Sequence, residues 1–360
     1  MRFQRLVKSK RAHPAYRASA AACVAAALIA ATTAFAGGCS EADDEPAARP
    51  RRMRGRGEPD VVEVVPPPIV PSPTSLNAIW GSSANDVWAV GGDGTILHYD
   101  GKALATVASG TRVRLLAVHG TGADDVWFVG EMGTTLHWDG TRVTEVVRIP
   151  DETLLGVWAD SETDVWAIGF SPADGLGIIR NWNGHHWEEL PIPVAKSLWE
   201  IWSNGPDDVW VVGTSLELGG VVLHASGNEV RQREFDGAPL RGVWGAGPDD
   251  VWVLPYMSPL QHWDGSGFSL TDAVADVPML GMWGLGSDDV WAVGLQGTIL
   301  HYDGDSWQRS DSGTEQTLWA VWGSASDDVW AAGGEGTMLR WDGDNWSKLE
   351  VAMPAAASVQ

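Results

Sequence analysis

Histidines and aspartates recur at fixed sites of a repeating unit. Each aspartate precedes a Val-Trp pair, and each histidine follows about a dozen residues later. Imidazoles and carboxylates are common ligands of zinc and calcium, so both sets raise the question of a metal site. The histidines are His98, His137, His224, His262 and His301, with Asn181 and Arg340 at this site in the other two copies. The aspartates are Asp86, Asp125, Asp164, Asp208, Asp250, Asp289 and Asp328.

Neither set predicts a metal centre. One histidine per unit places the imidazoles on separate units instead of around one point, so we expect them to pack and to hydrogen-bond to the next unit. The turns offer at most two adjacent carboxylates, as in Asp207-Asp208, whereas calcium takes six or more oxygen ligands. We expect the aspartates to accept turn amide hydrogens, with calcium as the alternative, and we expect no cofactor.

Catalytic motifs give no better match. The sequence has no G-x-S-x-G, H-E-x-x-H or phosphate loop at a plausible place, so it favours a non-enzyme without catalytic residues. A glycoside hydrolase or lyase would require two carboxylates about 5 to 10 Å apart. The 40 acidic residues of 75–360 do not identify such a pair.

The elements that carry these residues form an array. The triplet Asp-Val-Trp occurs seven times, at intervals of 39, 39, 44, 42, 39 and 39 residues, and a second ring residue stands eight positions earlier each time. A period near 40 over seven copies indicates a repeat architecture. The triplet tryptophans are Trp88, Trp127, Trp166, Trp210, Trp252, Trp291 and Trp330, and the earlier positions are Trp80, His119, Trp158, Trp202, Trp244, Trp283 and Trp322.

Each unit reads as four short strands, named a to d. Strand a is L-x-x-V-W-G, strand b is D-V-W-A-V-G, strand c is G-T-I-L-H-Y-D-G, and strand d begins near the last Trp of the unit. Strand b is apolar on both alternating faces, so it packs on both sides. The sequence therefore predicts an all-β protein, a seven-bladed β-propeller of four-stranded antiparallel blades over 75–360. All 22 tryptophans lie between Trp80 and Trp346, and we expect them to pack between blades.

These motifs also carry a resemblance. The region 75–360 resembles the Trp-rich D-V-W-A-V-G / G-T-I-L-H-Y-D-G repeat propellers of bacterial secreted proteins and lipoproteins, and it is distantly similar to photosystem II assembly-factor-like propellers. The corner H-Y-D-G-D-S-W is similar to the Asp-box of sialidase-like propellers, although Asp and Gly adjoin here. The resemblance implies an architecture. It implies little about activity, because propellers host many functions.

The first 74 residues read as an export signal and a linker. Residues 1–17 carry six cations and no acid, and the Ala-rich stretch 18–35 follows, which is typical of a secretory signal. Cleavage after Ala34-Phe35-Ala36 competes with a lipobox ending at Cys39. The lipobox is favoured, because Cys23 lies inside the signal and leaves Cys39 as the single thiol of the exported chain. The prediction is a lipoprotein signal peptide over 1–38, a disordered tether over 39–74 and the propeller over 75–360.

Location and partners follow from the anchor and the charge. Acyl groups on Cys39 would hold the chain on a membrane, and Ser40 resembles an outer-membrane sorting residue. We therefore expect the protein at the outer membrane of the cell envelope. The alternative is a secreted or periplasmic protein. Residues 75–360 hold 13 Lys and Arg against 40 Asp and Glu, which excludes nucleic acid and anionic surfaces as good partners.

Either 61–65 or 346–353 could supply the outer strand of the last blade.

One set of loops breaks the repeat. From the strand-b Trp to the recurring strand-c site there are 10 residues in five units, but 15 in unit three and 14 in unit four, and unit five replaces its Gly turn with L-P-Y-M-S-P-L. Irregular loops on a rigid scaffold often carry binding. We expect a non-catalytic scaffold that binds an envelope protein here, with a carbohydrate-binding propeller as the alternative. The candidate binding residues are Phe170, Pro172, Leu176, Leu216, Glu217, Leu218, Tyr256, Met257 and Pro259.

Overall fold

The structure is a computed structural model that describes residues 74–190, 195–227, 229–257, 259–272 and 276–351. The strands of this part form seven four-stranded antiparallel sheets, each drawn from one continuous stretch of chain. The seven-bladed β-propeller predicted from the repeat is confirmed. No helix in the described part is long and apolar enough to cross a membrane. The strands are β1–β4 (Leu76–Ser83, Asp86–Gly91, Ile96–Tyr99, Leu104–Val107), β5–β8 (Leu115–Gly122, Asp125–Gly130, Thr135–Trp138, Val143–Glu145), β9–β12 (Thr153–Ser161, Asp164–Ser171, Leu176–Trp182, Trp187–Leu190), β13–β16 (Ala195–Ser203, Asp208–Ser215, Gly220–Ser226, Glu229–Phe235), β17–β20 (Leu240–Gly247, Asp250–Pro255, Gln261–Trp263, Phe268–Leu270), β21–β24 (Met279–Gly286, Asp289–Gly294, Ile299–Tyr302, Trp307–Ser310) and β25–β28 (Leu318–Ala325, Asp328–Gly333, Met338–Trp341, Trp346–Lys348).

The innermost strands close the ring. The seven a strands contact one another in order around the axis, and β1 packs beside β25. Across this closure the Tyr99 and Trp330 rings lie 5.0 Å apart, and Arg340 Nη1 donates to the Tyr99 hydroxyl at 3.4 Å. Strand β28 is the fourth strand of the last blade, so part of 346–353 takes that position. Residues 1–73, which include Cys39, the signal and 61–65, lie outside the described residues.

Tryptophan rings fill the space between blades. Six of the seven strand-b tryptophans are at most 4% exposed, and Trp166 is half-buried. Strand-a tryptophans lie over a glycine of the next blade: a Cβ built on Gly284 would lie 2.5 Å from the Trp244 indole. At these blade interfaces a tryptophan of one blade therefore packs against a glycine of the next, which has no side chain to obstruct it. The same pairing joins Trp322 to Gly81, Trp80 to Gly120 and Trp202 to Gly245.

The second blade shows how an exception is accommodated. It carries His119 where most blades carry Trp, and the next blade carries Ala159 where most carry Gly. The Ala159 amide donates to His119 Nδ1 at 3.0 Å, and the imidazole stacks on Trp158 at 4.0 Å. Burial lowers the pKa of His119 to about 3, so the ring is neutral and can accept this hydrogen bond. A smaller ring thus leaves space for the extra methyl group.

The propeller has two faces that differ in regularity. The a–b and c–d turns meet on one face, called here the turn face, where a Cβ on Gly304 would lie 2.9 Å from the Cβ of Asp288. The b–c connections and the starts of the a strands meet on the opposite loop face, where the Thr74 and Thr95 hydroxyls lie 2.9 Å apart. The two kinds of connection therefore lie on opposite faces of the propeller.

Four blades share one b–c connection. It is a three-residue 3₁₀ turn whose central residue has a left-handed backbone, as at Asp93 with φ of 52°, followed by a glycine. Blades 3 and 4 instead extend strand b to eight residues, as in β10 and β14, and blade 5 ends strand b at Pro255. The irregular loops thus occupy adjacent blades of the loop face. The shared turns are Gly92–Gly94, Glu131–Gly133, Leu295–Gly297 and Gly334–Gly336.

Candidate functional site

The recurring aspartates and histidines bond to each other within one blade. In the first blade Asp86 Oδ1 accepts the Trp88 indole N–H at 3.1 Å and lies 2.6 Å from His98 Nε2. The strand register places His98 opposite Trp88, and the two rings stack 3.9 Å apart. The expectation that these histidines hydrogen-bond to the next blade is therefore wrong. The same His–Asp contact is made by His137 to Asp125 (2.7 Å), His224 to Asp208 (2.7 Å), His262 to Asp250 (2.6 Å) and His301 to Asp289 (2.9 Å).

The other two blades keep this arrangement with different donors. Asn181 Nδ2 donates to Asp164 at 2.7 Å, and Arg340 Nε donates to Asp328 at 2.7 Å. Burial alone would raise the pKa of Asp86, but hydrogen bonds from His98 and its other donors hold the pKa below its ordinary value. Within the described ranges no three His, Cys, Asp or Glu residues are grouped to hold a metal ion. The recurring carboxylates act as acceptors for packed side chains.

A second series of aspartates performs the role expected of the first. In the c–d turn Asp303 Oδ1 accepts the amides of Asp305 and Ser306 at 3.0 and 2.9 Å. No turn amide of the described residues donates to a strand-b aspartate, so the expectation that these aspartates accept turn amides is wrong. Each carboxylate instead bonds to the strand-c side chain of its own blade. The same c–d turn is made by Asp100, Asp139, Asp264 and Asp342.

The candidate binding residues lie on the loop face of blades 3 to 5. Leu216 is 42% exposed and Met257 is 63% exposed, and these two apolar side chains lie on adjacent blades. The remaining seven divide between surface and interior. Pro172, Glu217 and Pro259 are exposed, while Phe170, Leu176, Leu218 and Tyr256 are half-buried.

A β-bulge places one further side chain per blade beside this region. Near the start of each a strand the register to strand b skips one residue, as at Arg241 between Leu240 and Gly242. The extra residue is left unpaired on the innermost strand, and a bulge of this kind re-aims its side chain. All seven bulge residues are half-buried. They are Asn77, Leu116, Leu155, Trp199, Arg241, Leu280 and Trp319.

Arg241 is the one cation among these seven residues; the register of β13 also skips Lys196, which is exposed. Its guanidinium carbon lies 3.8 Å from the centre of the Trp199 ring and 5.5 Å from that of Tyr256. Burial lowers the pKa of Arg241 to about 10, so the group stays charged at neutral pH. The residue as a whole is half-buried, whereas its Nη1 atom is fully buried and has no acceptor among the described residues.

Glu200 follows Trp199 on the same inner strand. It pairs with Val212 at a register position where the other six blades carry Ala or Gly, as at Ala78 and Gly242. Burial raises the pKa of Glu200 to about 7, and a hydrogen bond from the Ile201 amide at 3.3 Å only partly opposes this effect. Blades 4 and 5 therefore place two unusual ionisable groups on their innermost strands, β13 and β17.

Solved structures with the same fold are similar to this chain. A structure of YCF48 bound to D1 peptide matches with a TM-score of 0.59 and 18% identity, over 75% of this chain and 94% of that one. YCF48 from Cyanidioschyzon merolae matches at 0.60 and 17%, over 76% and 96%. The WD40 propeller domain of Doa1 matches at 0.60 and 12%, over 74% and 92%. These likenesses show the fold alone. No family model and no curated protein matches the sequence.

Sequence reasoning found the loops but missed the bulge residues. A signal was present: the residue directly after the first strand-a Leu or Met is apolar or Asn in six blades and Arg in the fifth. Aligning the repeats does not reveal the role of this residue, because the regular alternation of side chains along a strand would assign it to one face of the sheet. The bulge leaves this residue unpaired and re-aims its side chain.

Proposed function

We propose that this protein is a non-catalytic scaffold of the cell envelope that binds a partner protein through the loop face of blades 3 to 5. The observation that carries the proposal is the pair of exposed apolar side chains, Leu216 and Met257, on two of the three adjacent blades whose described b–c connections depart from the shared turn. Exposed apolar groups beside buried aromatic and arginine side chains are a composition that protein interfaces favour.

The similar structures support a partner of this kind. One of the YCF48 structures was solved with a bound D1 peptide, so a propeller of this shape can hold a polypeptide segment. We further propose that the chain is one of the Trp-rich propeller lipoproteins that its repeat motifs resemble, and that acylated Cys39 tethers it to the outer membrane. The tether would leave the propeller free to meet partners along the membrane surface.

A variant of the loop face tests the binding proposal. We expect Leu216→Ser with Met257→Ser to abolish photo-crosslinking of the protein to its partner in living cells. The matched control is Met132→Ser, which removes a side chain that is 56% exposed on the regular loop-face turn of blade 2. Unchanged crosslinking in the double variant would contradict the proposal, and equal loss in the control variant would contradict the assignment to blades 3 to 5.

The anchor is tested separately. Mass spectrometry of the mature protein should show an N-terminal diacylglyceryl Cys39, and Cys39→Ser should release the propeller from the membrane fraction. A free N-terminus at Gly37 in the unaltered protein would show cleavage by the ordinary signal peptidase and would overturn the anchor.

A further inference from the structure

Arg241 differs from the other well-placed arginines of the propeller. Arg180 forms an ion pair with Glu152, and Arg340 does so with Asp328 at 2.7 Å. Arg241 contacts two aromatic rings, and its guanidinium forms no hydrogen bond or ion pair with any residue that the structure describes. Residues 75–360 include 40 acidic residues, yet no carboxylate among the described residues forms an ion pair with this cation.

The surroundings favour a ligand over an internal partner. An arginine N–H that is buried without an acceptor costs free energy, and the cost persists unless a bound group accepts it. The Trp199 ring lies 3.8 Å from the guanidinium carbon and covers one side of the group, while the residue as a whole is half-buried, so part of the side chain is reachable from solvent. The contact with Trp199 therefore holds the guanidinium in place before any anion is bound.

We propose that Arg241 binds a carboxylate of an extended peptide segment of the partner, which enters the axis of the ring from the loop face between blades 4 and 5. The inference rests on the proposed function and names the chemistry of its partner. A carboxylate matches the guanidinium edge with two parallel hydrogen bonds. A phosphate with about two charges is disfavoured, because the strongly acidic propeller repels it more than it repels a single charge.

Three peptide sets distinguish the sources of the carboxylate. All are random hexapeptides without Glu or Arg. One has a free C-terminal carboxylate and no Asp, one has a C-terminal amide and a single internal Asp, and one has the amide and no acid. The labelled full chain is bound to each set, and the tightest peptide is then titrated in solution. We expect binding to one or both of the first two sets and none to the third.

Substitutions assign the binding to the arginine. Arg241→Gln should weaken the tightest peptide at least tenfold, and Arg241→Lys should weaken it by a smaller factor, because an ammonium keeps the charge without the paired N–H geometry. The matched control is Arg231→Gln on the outer strand β16, which should bind as the unaltered chain does. Arginine Nε–H NMR signals give a second readout: the signal lost in Arg241→Lys should shift when the peptide is added.

Several outcomes would overturn this site. They are binding to none of the three sets, equal binding to the acid-free set, or unchanged affinity in a folded Arg241→Gln variant. The proposed function fails differently. If the Arg241→Gln variant still crosslinks to the cellular partner while the Leu216→Ser, Met257→Ser variant does not, only the proposed role of Arg241 is contradicted. If both variants still crosslink, the proposed binding face on blades 3 to 5 is contradicted as well.

Discussion

The turn face and the loop face of this propeller are built under different constraints. On the turn face every blade places an aspartate against a strand-c side chain, and five blades form the same aspartate turn between strands c and d. On the loop face four blades share one turn and three adjacent blades differ from it and from one another. Repetition thus marks the residues that hold each blade in shape, and irregularity marks the surface that is free to specialise.

The largest effect should come from removing a tryptophan between blades. Trp330→Ala takes away a fully buried indole that contacts Tyr99 across the ring closure and donates to Asp328. We expect the free energy of unfolding to fall by about 3 to 5 kcal/mol, measured by urea denaturation. A loss below about 1 kcal/mol would mean that the blade interfaces do not carry the stability.

Glu200 should destabilise the folded protein as pH rises. Its pKa is about 7 in the fold against 4.5 for an ordinary glutamate, so the folded state binds the proton more tightly than the unfolded state does. Stability from the protonated form is present below pH 4.5 and is lost as pH rises to about 7. Glu200→Gln should therefore leave stability unchanged at pH 4 and raise it by up to about 3 kcal/mol at pH 8. Exposed Glu315→Gln is the control, and an equal gain at both pH values would contradict the burial of the charge.

A smaller effect is expected for one unit of the turn-face series. Asp289→Ala removes the acceptor of the Trp291 indole (2.7 Å) and of His301 (2.9 Å). Two donors are then left without their partner, and the free energy of unfolding should fall by about 2 kcal/mol. Asp289→Asn keeps one oxygen acceptor and should lose less. Equal losses in the two variants would show that charge, not hydrogen bonding, is what matters at this site.

The irregular loops should contribute least to stability. Leu216→Ser with Met257→Ser replaces exposed side chains, so we expect a change within about 0.5 kcal/mol of the unaltered protein. Thermal and urea unfolding measure this. A large loss would mean that these side chains serve packing, and the contrast between the two faces would then disappear.

Most of the fold could be predicted from the sequence, because the same strand motifs occur seven times. The length of the repeat, the order of the strands and the burial of the tryptophans could be predicted from the alternation of residue types along each strand and from the eight-residue spacing of Trp80 and Trp88. The bonding of the recurring histidines was assigned to the wrong blade, because spacing does not reveal that His98 stacks on Trp88 and thereby reaches Asp86. The setting of Arg241 was missed because a bulge is a property of backbone pairing, which a composition pattern does not contain.

The continuity of each blade has a consequence for how the chain can be rearranged. Because every described sheet is drawn from one uninterrupted segment, the join between the last and first blades is made by side chains such as Tyr99 and Trp330, with no strand exchanged. All seven joins are then of one kind. We expect circular permutants that begin at any inner strand to fold, which would let each blade be moved to a chain terminus and labelled there.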